Sequence, residues 1–270
     1  MLSTFVLFLF TLQPSQVSPV FLTAQESITI HAQYWGLKQS NHKWYRLKAL
    51  PLDYNNVKAC GLKAPGCVAP IRYQWEELTV LENKTVFQTK NYPQIFTLGT
   101  HRIQPSLSPL KEPASTQNTR EIVIRRDNSY VGYVTELMST PFVFLPKETT
   151  QGHQTDLRLG ADCVATLIYG QRRLGRSIPY VGPAGLDRFT QRVPRKDNQQ
   201  PIAQGDILHF GAQTAVVSKD LPPIGLLNKE DLIIHSYHQL VEEIPLSQAP
   251  YAQASFEVRR WYPQPQLLKP

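Results

Sequence analysis

The sequence predicts an α+β fold in two parts, a β-rich N-terminal module and a mixed helix-and-strand region behind it. Three observations carry this. Residues 25 to 104 alternate apolar with polar side chains in short runs broken by Pro, Asn and Gly, the period of half-buried strands. Residues 105 to 119, PSLSPLKEPASTQNT, are rich in Pro, Ser and Thr and offer almost nothing to bury, as in a linker or long surface loop. Beyond them Val164, Leu167, Ile168 and Leu174 recur at helical spacing, and the last third returns to strand character. At 270 residues the chain is long enough for one large domain or two modest ones with cores of their own.

Along the chain, residues 1 to 24 hold the apolar stretch FVLFLFTL, of signal-peptide length and too short for a transmembrane helix. Export to the periplasm or cell envelope follows as the expectation, although the first basic side chain is Lys38 and Leu22-Thr-Ala24 is a poor cleavage site. The segments SITIHAQYW, KWYRLKAL, IRYQWEELTVL, TVFQTK and QIFTLGTHRI read as strands of a small sandwich or barrel-like module. After the linker, REIVIRR reads as a short strand and opens the second region, residues 120 to 270. From Ser129 the run SYVGYVTELM has helical spacing until Pro141 stops it. Asp162 is a good N-cap for ADCVATLIYGQRRLG, with Cys163 in the first turn and Gly175 at the end. The segments GDILHFG, QTAVVSKD, DLIIHSYH and SFEVRRWY read as the closing strands.

Charge and composition exclude several classes. Lys and Arg number 28 against 21 Asp and Glu, a formal +7 that favours anionic surroundings. No basic run interleaved with aromatics marks a nucleic-acid surface, and the densest basic patch, Arg188 to Lys196, reads as a solvated loop. No apolar run reaches the roughly 20 residues of a membrane-spanning helix. Neither HExxH nor a paired-Cys spacing is present, so no metal or cofactor is expected. Cys60 and Cys67 bracket the turn-forming GLKAPG and are placed to pair in an oxidising compartment, which leaves Cys163 alone.

A thiol at a helix start feels the positive end of the macrodipole and lies near unpaired amides, which favour a thiolate and could hold an oxyanion. The competing reading of a helical cysteine is a small apolar residue facing its packing partner. The order of features bears on the choice. Thr140-Pro141-Phe142 ends a helix, a polar loop follows, Asp162-Cys163 opens the next helix, and Gly205-Asp206 opens a strand. This order resembles the NlpC-type cell-wall cysteine peptidases, from about Tyr130 to His238. The resemblance implies a papain-like domain in which a helix-borne Cys packs on an antiparallel sheet and hydrolyses an amide bond, commonly in peptidoglycan stem peptides.

Carried over by position, Cys163 is the nucleophile and His235, in DLIIHSYH, matches the family's third catalytic position. The base position reads QTAVV, with Gln213 or Thr214 where the resemblance calls for His, and Gln cannot take a thiol proton. Phe142 stands where the family has Tyr, and Val164 and Ala165 replace small residues. His235 is therefore the expected base and His209 the second choice, four residues before Gln213 with Gly211 between them. Asp162, Gln213 and Tyr180 are the expected substrate contacts. The expected function is an exported cysteine peptidase or amidase acting on peptidoglycan or peptide. The rival is a non-catalytic wall-binding or structural module that has lost its base, and a third possibility is another acyl transfer such as amide exchange.

Overall fold

The computed structural model describes residues 18–37, 41–51, 71–111, 118–197 and 199–263. Their fold is mixed α+β, dominated by two sheets with few helices. In chain order the strands are β1 (Val20–Thr23), β2 (Thr29–His31), β3 (Lys43–Ala49), β4 (Tyr73–Glu77), β5 (Val86–Gln88), β6 (Gly99–Ser106) and β7 (Arg120–Arg125). After α1 (Tyr130–Val134) come β8 (Glu148–Thr149) and β9 (Gly152–His153), then α2 (Cys163–Arg173). The chain closes with β10 (Thr190–Arg192), β11 (Ile207–His209), β12 (Thr214–Lys219), β13 (Leu232–His235), β14 (Glu242–Pro245) and β15 (Glu257–Trp261).

The first sheet runs β1-β7-β6-β3-β4, antiparallel except for the parallel pair β1 and β7. Alternation puts Trp44, Ile103, Ile122 and Ile124 on one face, where they meet Ile30, Leu81, Phe87 and Phe96 from the small two-stranded β2-β5 sheet and its flanks. Trp44 is fully buried, with its indole edge-on to Phe87 and its N–H donated to the Lys84 carbonyl. That satisfies the one polar atom of a large buried ring.

Several sequence expectations need correction here. Pro105 and Ser106 are not linker but the end of β6, paired with Trp44 and Lys43, because a strand with a Pro is tolerated where the ladder is ending. Residues 112 to 117 of the linker, and the Cys60–Cys67 pair, lie outside the described residues. The strand REIVIRR belongs to the first sheet, so the second region contributes nothing before α1. Val20–Thr23, assigned by sequence to a leader, form β1 against Ile122–Arg125, with Leu22 buried. The rest of the proposed leader, up to residue 17, lies outside the described residues.

The second sheet runs β10-β15-β11-β12-β13-β14, antiparallel throughout. Its order interleaves late and early strands, so β11 pairs with both β12 and β15. One face carries Ile207, Val216 and Ile234 beneath α1 and α2. The other carries Leu208, Ala215, Val217, Ile233 and Val258, covered by Leu246, Ala249 and the chain that follows. Two of its strands escape the sequence reading. β10 arises inside the basic patch read as a solvated loop, since Thr190 is buried and pairs with Trp261. β14 is a charged edge strand whose Glu242 and Glu243 hide the strand pattern.

The two sheets are joined by polar contacts. Arg102 of β6 and Arg158 share the carboxylate of Glu121 on β7, and Thr100 donates to the Glu136 carbonyl at 2.9 Å. Arg126, just past β7, reaches Ser218 at 2.9 Å and Glu243 at 2.6 Å. The no-span expectation stands in this form: among the described residues no helix is long and apolar enough to cross a membrane.

Candidate functional site

Cys163 opens α2 as its spacing predicts. Asp162 is the N-cap, its Oδ1 accepting from the Ala165 amide at 2.7 Å and its Oδ2 from the Leu145 amide at 3.2 Å. The carboxylate therefore occupies donors that an oxyanion would need. Burial pushes the Asp162 carboxyl up to about 6, against the lowering effect of the amides of Ala165, Leu145 and Val164.

The thiol points inward. Cys163 is only 7% exposed and packs in the apolar cluster of Val164, Leu167, Ile207, Val216 and Ile234. Its Sγ donates to the Ala212 carbonyl at 3.9 Å. Burial pushes the thiol up to about 12 and the Asp162 carboxylate adds to the rise, while the Thr214 hydroxyl and the backbone of Thr214 and Val164 act the other way. At neutral pH this sulfur is a neutral thiol.

The β12 and β13 register decides the fate of the expected base. Ala215 lies opposite His235 and Val216 opposite Ile234. Directly paired residues share a face, so His235 joins Ala215 and Ile233 on the face away from α2, while Ile234 and Val216 take the Cys163 side. The Cys163–His235 dyad is thus corrected: period-2 alternation turns the imidazole through the sheet. There His235, 2% exposed, accepts from the Tyr251 hydroxyl at 2.8 Å on Nδ1 and lies 3.3 Å from Glu242 on Nε2. Burial lowers its pKa and the Glu242 carboxylate opposes that.

His209 lies on the other side of the question. Gly211, at φ 78, turns the chain between β11 and β12, so His209 does not run on toward Gln213 along one strand but sits directly opposite Thr214. It shares the α2 face with Ile207 two residues earlier. Its Nε2 lies 3.3 Å from the Pro183 carbonyl and its Nδ1 accepts from the Gly211 amide at 3.3 Å. Thr214 itself is fully buried, and among the described residues its hydroxyl has no hydrogen-bond partner. Gln213 is a strut: its Nε2 donates to the Thr214 and Ser236 carbonyls at 3.1 and 3.2 Å.

Tyr180 is separated from this constellation by its bonding. Its hydroxyl donates to Asp156 at 2.6 Å, its ring stacks on His153 at 3.7 Å, and Arg172 lies over it. It fastens the loop after α2. Tyr251 and Glu242 are the site neighbours that sequence reasoning missed. They lie sixteen and seven residues from His235, no short motif links them, and only the sheet brings them together.

Near the same end of the sheet the half-buried rings of Phe210, Tyr237, His238 and Tyr251 form an aromatic ledge. Tyr237 stacks on His238 at 4.2 Å, and Tyr251 meets Tyr237 at 5.4 Å and Phe210 at 4.8 Å. Among the described residues, no group of three or more His, Cys, Asp or Glu is arranged to hold a metal ion. Comparison with protein-family models, with curated proteins and with solved structures gives no match.

Proposed function

We propose that the second half of the chain is a non-catalytic module of NlpC-like, papain-type design, which binds cell-wall peptide outside the cytoplasm and does not cleave it. The observation that carries this reading is the Cys163 thiol. It is buried among apolar side chains, bonded to the Ala212 carbonyl and pushed up to about 12. A nucleophile needs the opposite: a partly exposed sulfur with a base within hydrogen-bond reach. The N-cap carboxylate of Asp162 also takes the Ala165 amide that would otherwise face a developing oxyanion. The aromatic ledge at Phe210, Tyr237 and Tyr251 and the +7 charge both suit capture of an anionic glycopeptide.

The test is the rate of Cys163 alkylation by iodoacetamide between pH 5 and 9 on the folded chain, beside co-sedimentation with purified peptidoglycan. Slow alkylation that rises only above the ordinary thiol range, together with sedimentation, is the expected result. Fast alkylation below pH 7 would overturn it. One observation favours a second reading as a cysteine hydrolase: His209 faces Thr214 on the Cys163 side of the sheet. That reading requires a shift of the β11–β12 turn to bring the ring to the sulfur, and a His209→Ala variant that slows alkylation would support it.

A further inference from the structure

The seam between the two sheets holds a cavity of about 120 Å³, room for several waters or one small polyatomic ion. It opens where β3 and β6 part company. The two strands pair as far as Leu47 and Arg102 and then diverge, β3 continuing against β4 and β6 against β7. Thr140 and Pro141, just after α1, close it from the other half.

Its lining is one-sided in charge. Among the described residues Arg46, Lys48, Arg102 and Arg158 contribute to the wall, and no Asp or Glu does. Arg46 is neutralised by Glu76, whose Oε2 accepts from both its Nε and its Nη2. Arg102 and Arg158 are different, because both depend on the single carboxylate of Glu121. Their side chains are 9% and 7% exposed, so one positive charge in excess is held nearly out of water. Such a charge is costly to bury without a counter-ion. Lys48 lines the same opening from the other face of the sheet, one residue before Ala49, the partner of Tyr73, and is an exposed cation that forms no ion pair among the described residues. His101 adds nothing to the count, since burial pushes it down to about 4 and it is neutral at pH 7.

A second observation is independent of charge. Tyr73 lines the same cavity, and its hydroxyl is inaccessible to solvent and has no hydrogen-bond partner among the described residues. A buried donor without an acceptor is rare in folded proteins and calls for a missing partner. We infer that this seam cavity is an oxyanion site, built to take one carboxylate or phosphate group on the Tyr73 hydroxyl and the excess charge of Arg102, Arg158 and Lys48. The inference does not depend on the role given to Cys163. It assigns the N-terminal sheet a binding function of its own and makes its ligand a bridge between the halves.

The experiment is thermal unfolding of the full chain at pH 7 in sodium phosphate, sodium acetate and sodium chloride at matched ionic strength, with Tyr73→Phe and Lys48→Gln beside the wild type. A ligand that binds only the folded state raises the melting temperature. Phosphate or acetate is expected to raise it by several degrees over chloride, and whichever does so names the ligand's chemistry. In Tyr73→Phe and Lys48→Gln that rise is expected to shrink at least twofold, while the melting temperature in chloride stays near the wild-type value or, for Tyr73→Phe, increases. Equal melting temperatures of the wild type in all three salts would overturn the inference. So would a rise that both variants retain in full.

Discussion

Ala215 and His235 stand opposite one another across β12 and β13, on the face of the sheet turned away from Cys163. The one-residue offset between Ile234 and His235 therefore puts the imidazole on the sheet face opposite the one that packs under α2. Replacing His235 with Ala is expected to leave the pH profile of Cys163 alkylation unchanged. A slowed reaction below pH 7 would contradict the register.

His235 should instead matter to stability through Tyr251. The Tyr251 hydroxyl gives its proton to Nδ1 at 2.8 Å, within a ring cluster that includes Phe210. Tyr251→Phe leaves the buried Nδ1 without a donor and should cost about 1 to 3 kcal/mol. A double-mutant cycle with His235→Leu should return a coupling of at least about 1 kcal/mol, read from urea unfolding midpoints.

Thr214 gives the reverse case. Its hydroxyl is fully buried, has no hydrogen-bond partner among the described residues and acts on the Cys163 thiol. Thr214→Val keeps the shape and removes a polar group that gains little from burial. Its stability is expected to match or exceed wild type by up to about 1 kcal/mol. A loss above about 2 kcal/mol would mean that the hydroxyl is bonded and the sulfur is its partner.

What was legible in the sequence follows the range of the forces involved. Ser129 and Asp162 announce their helices because capping is local, each side chain bonding an amide three residues on. β3 announces itself by alternation over seven residues, whereas β6 is read only as far as Ile103 because Pro105 and Ser106 look like linker. The site was less legible because its geometry is a matter of register. Ranking His209 against His235 required knowing that Gly211 turns the chain and that Ala215, not Thr214, meets His235. β1 was masked by a different effect, since an apolar edge strand near the start of a chain has the composition of the end of a leader.

Two buried groups respond to acid between pH 6.5 and 4 with opposite signs. His101 is pushed from 6.5 to about 4 by burial, so across that window the unfolded chain binds a proton that the folded chain refuses. Stability then falls as pH falls, by as much as about 3 kcal/mol. Asp162 has the opposite sign: its carboxyl is raised from 3.8 to about 6, so the folded state gains stability as pH falls through that range. Asp162→Asn retains a good N-cap and removes the offset. The variant's unfolding midpoint should fall more steeply than wild type between pH 6 and 4, and His101→Gln should flatten the slope.

Glu136 is the group whose loss should be felt most. It is fully buried behind α1 and accepts from Tyr169 at 2.5 Å, from Arg173 at 2.9 Å and from Arg125 at 3.2 Å. Those partners come from α2 and β7, so one carboxylate ties the helix that carries Cys163 to the N-terminal sheet. Arg173 also lies over the rings of Phe21 in β1 and Tyr133 in α1. Glu136→Gln keeps the volume but leaves two guanidinium groups without their counter-charge, at a cost of about 3 to 5 kcal/mol. The loss should appear as a single lowered unfolding transition, because the network spans both halves. If instead the first sheet and the α2 region melt in two separate transitions while the second keeps its wild-type midpoint, the carboxylate does not couple them.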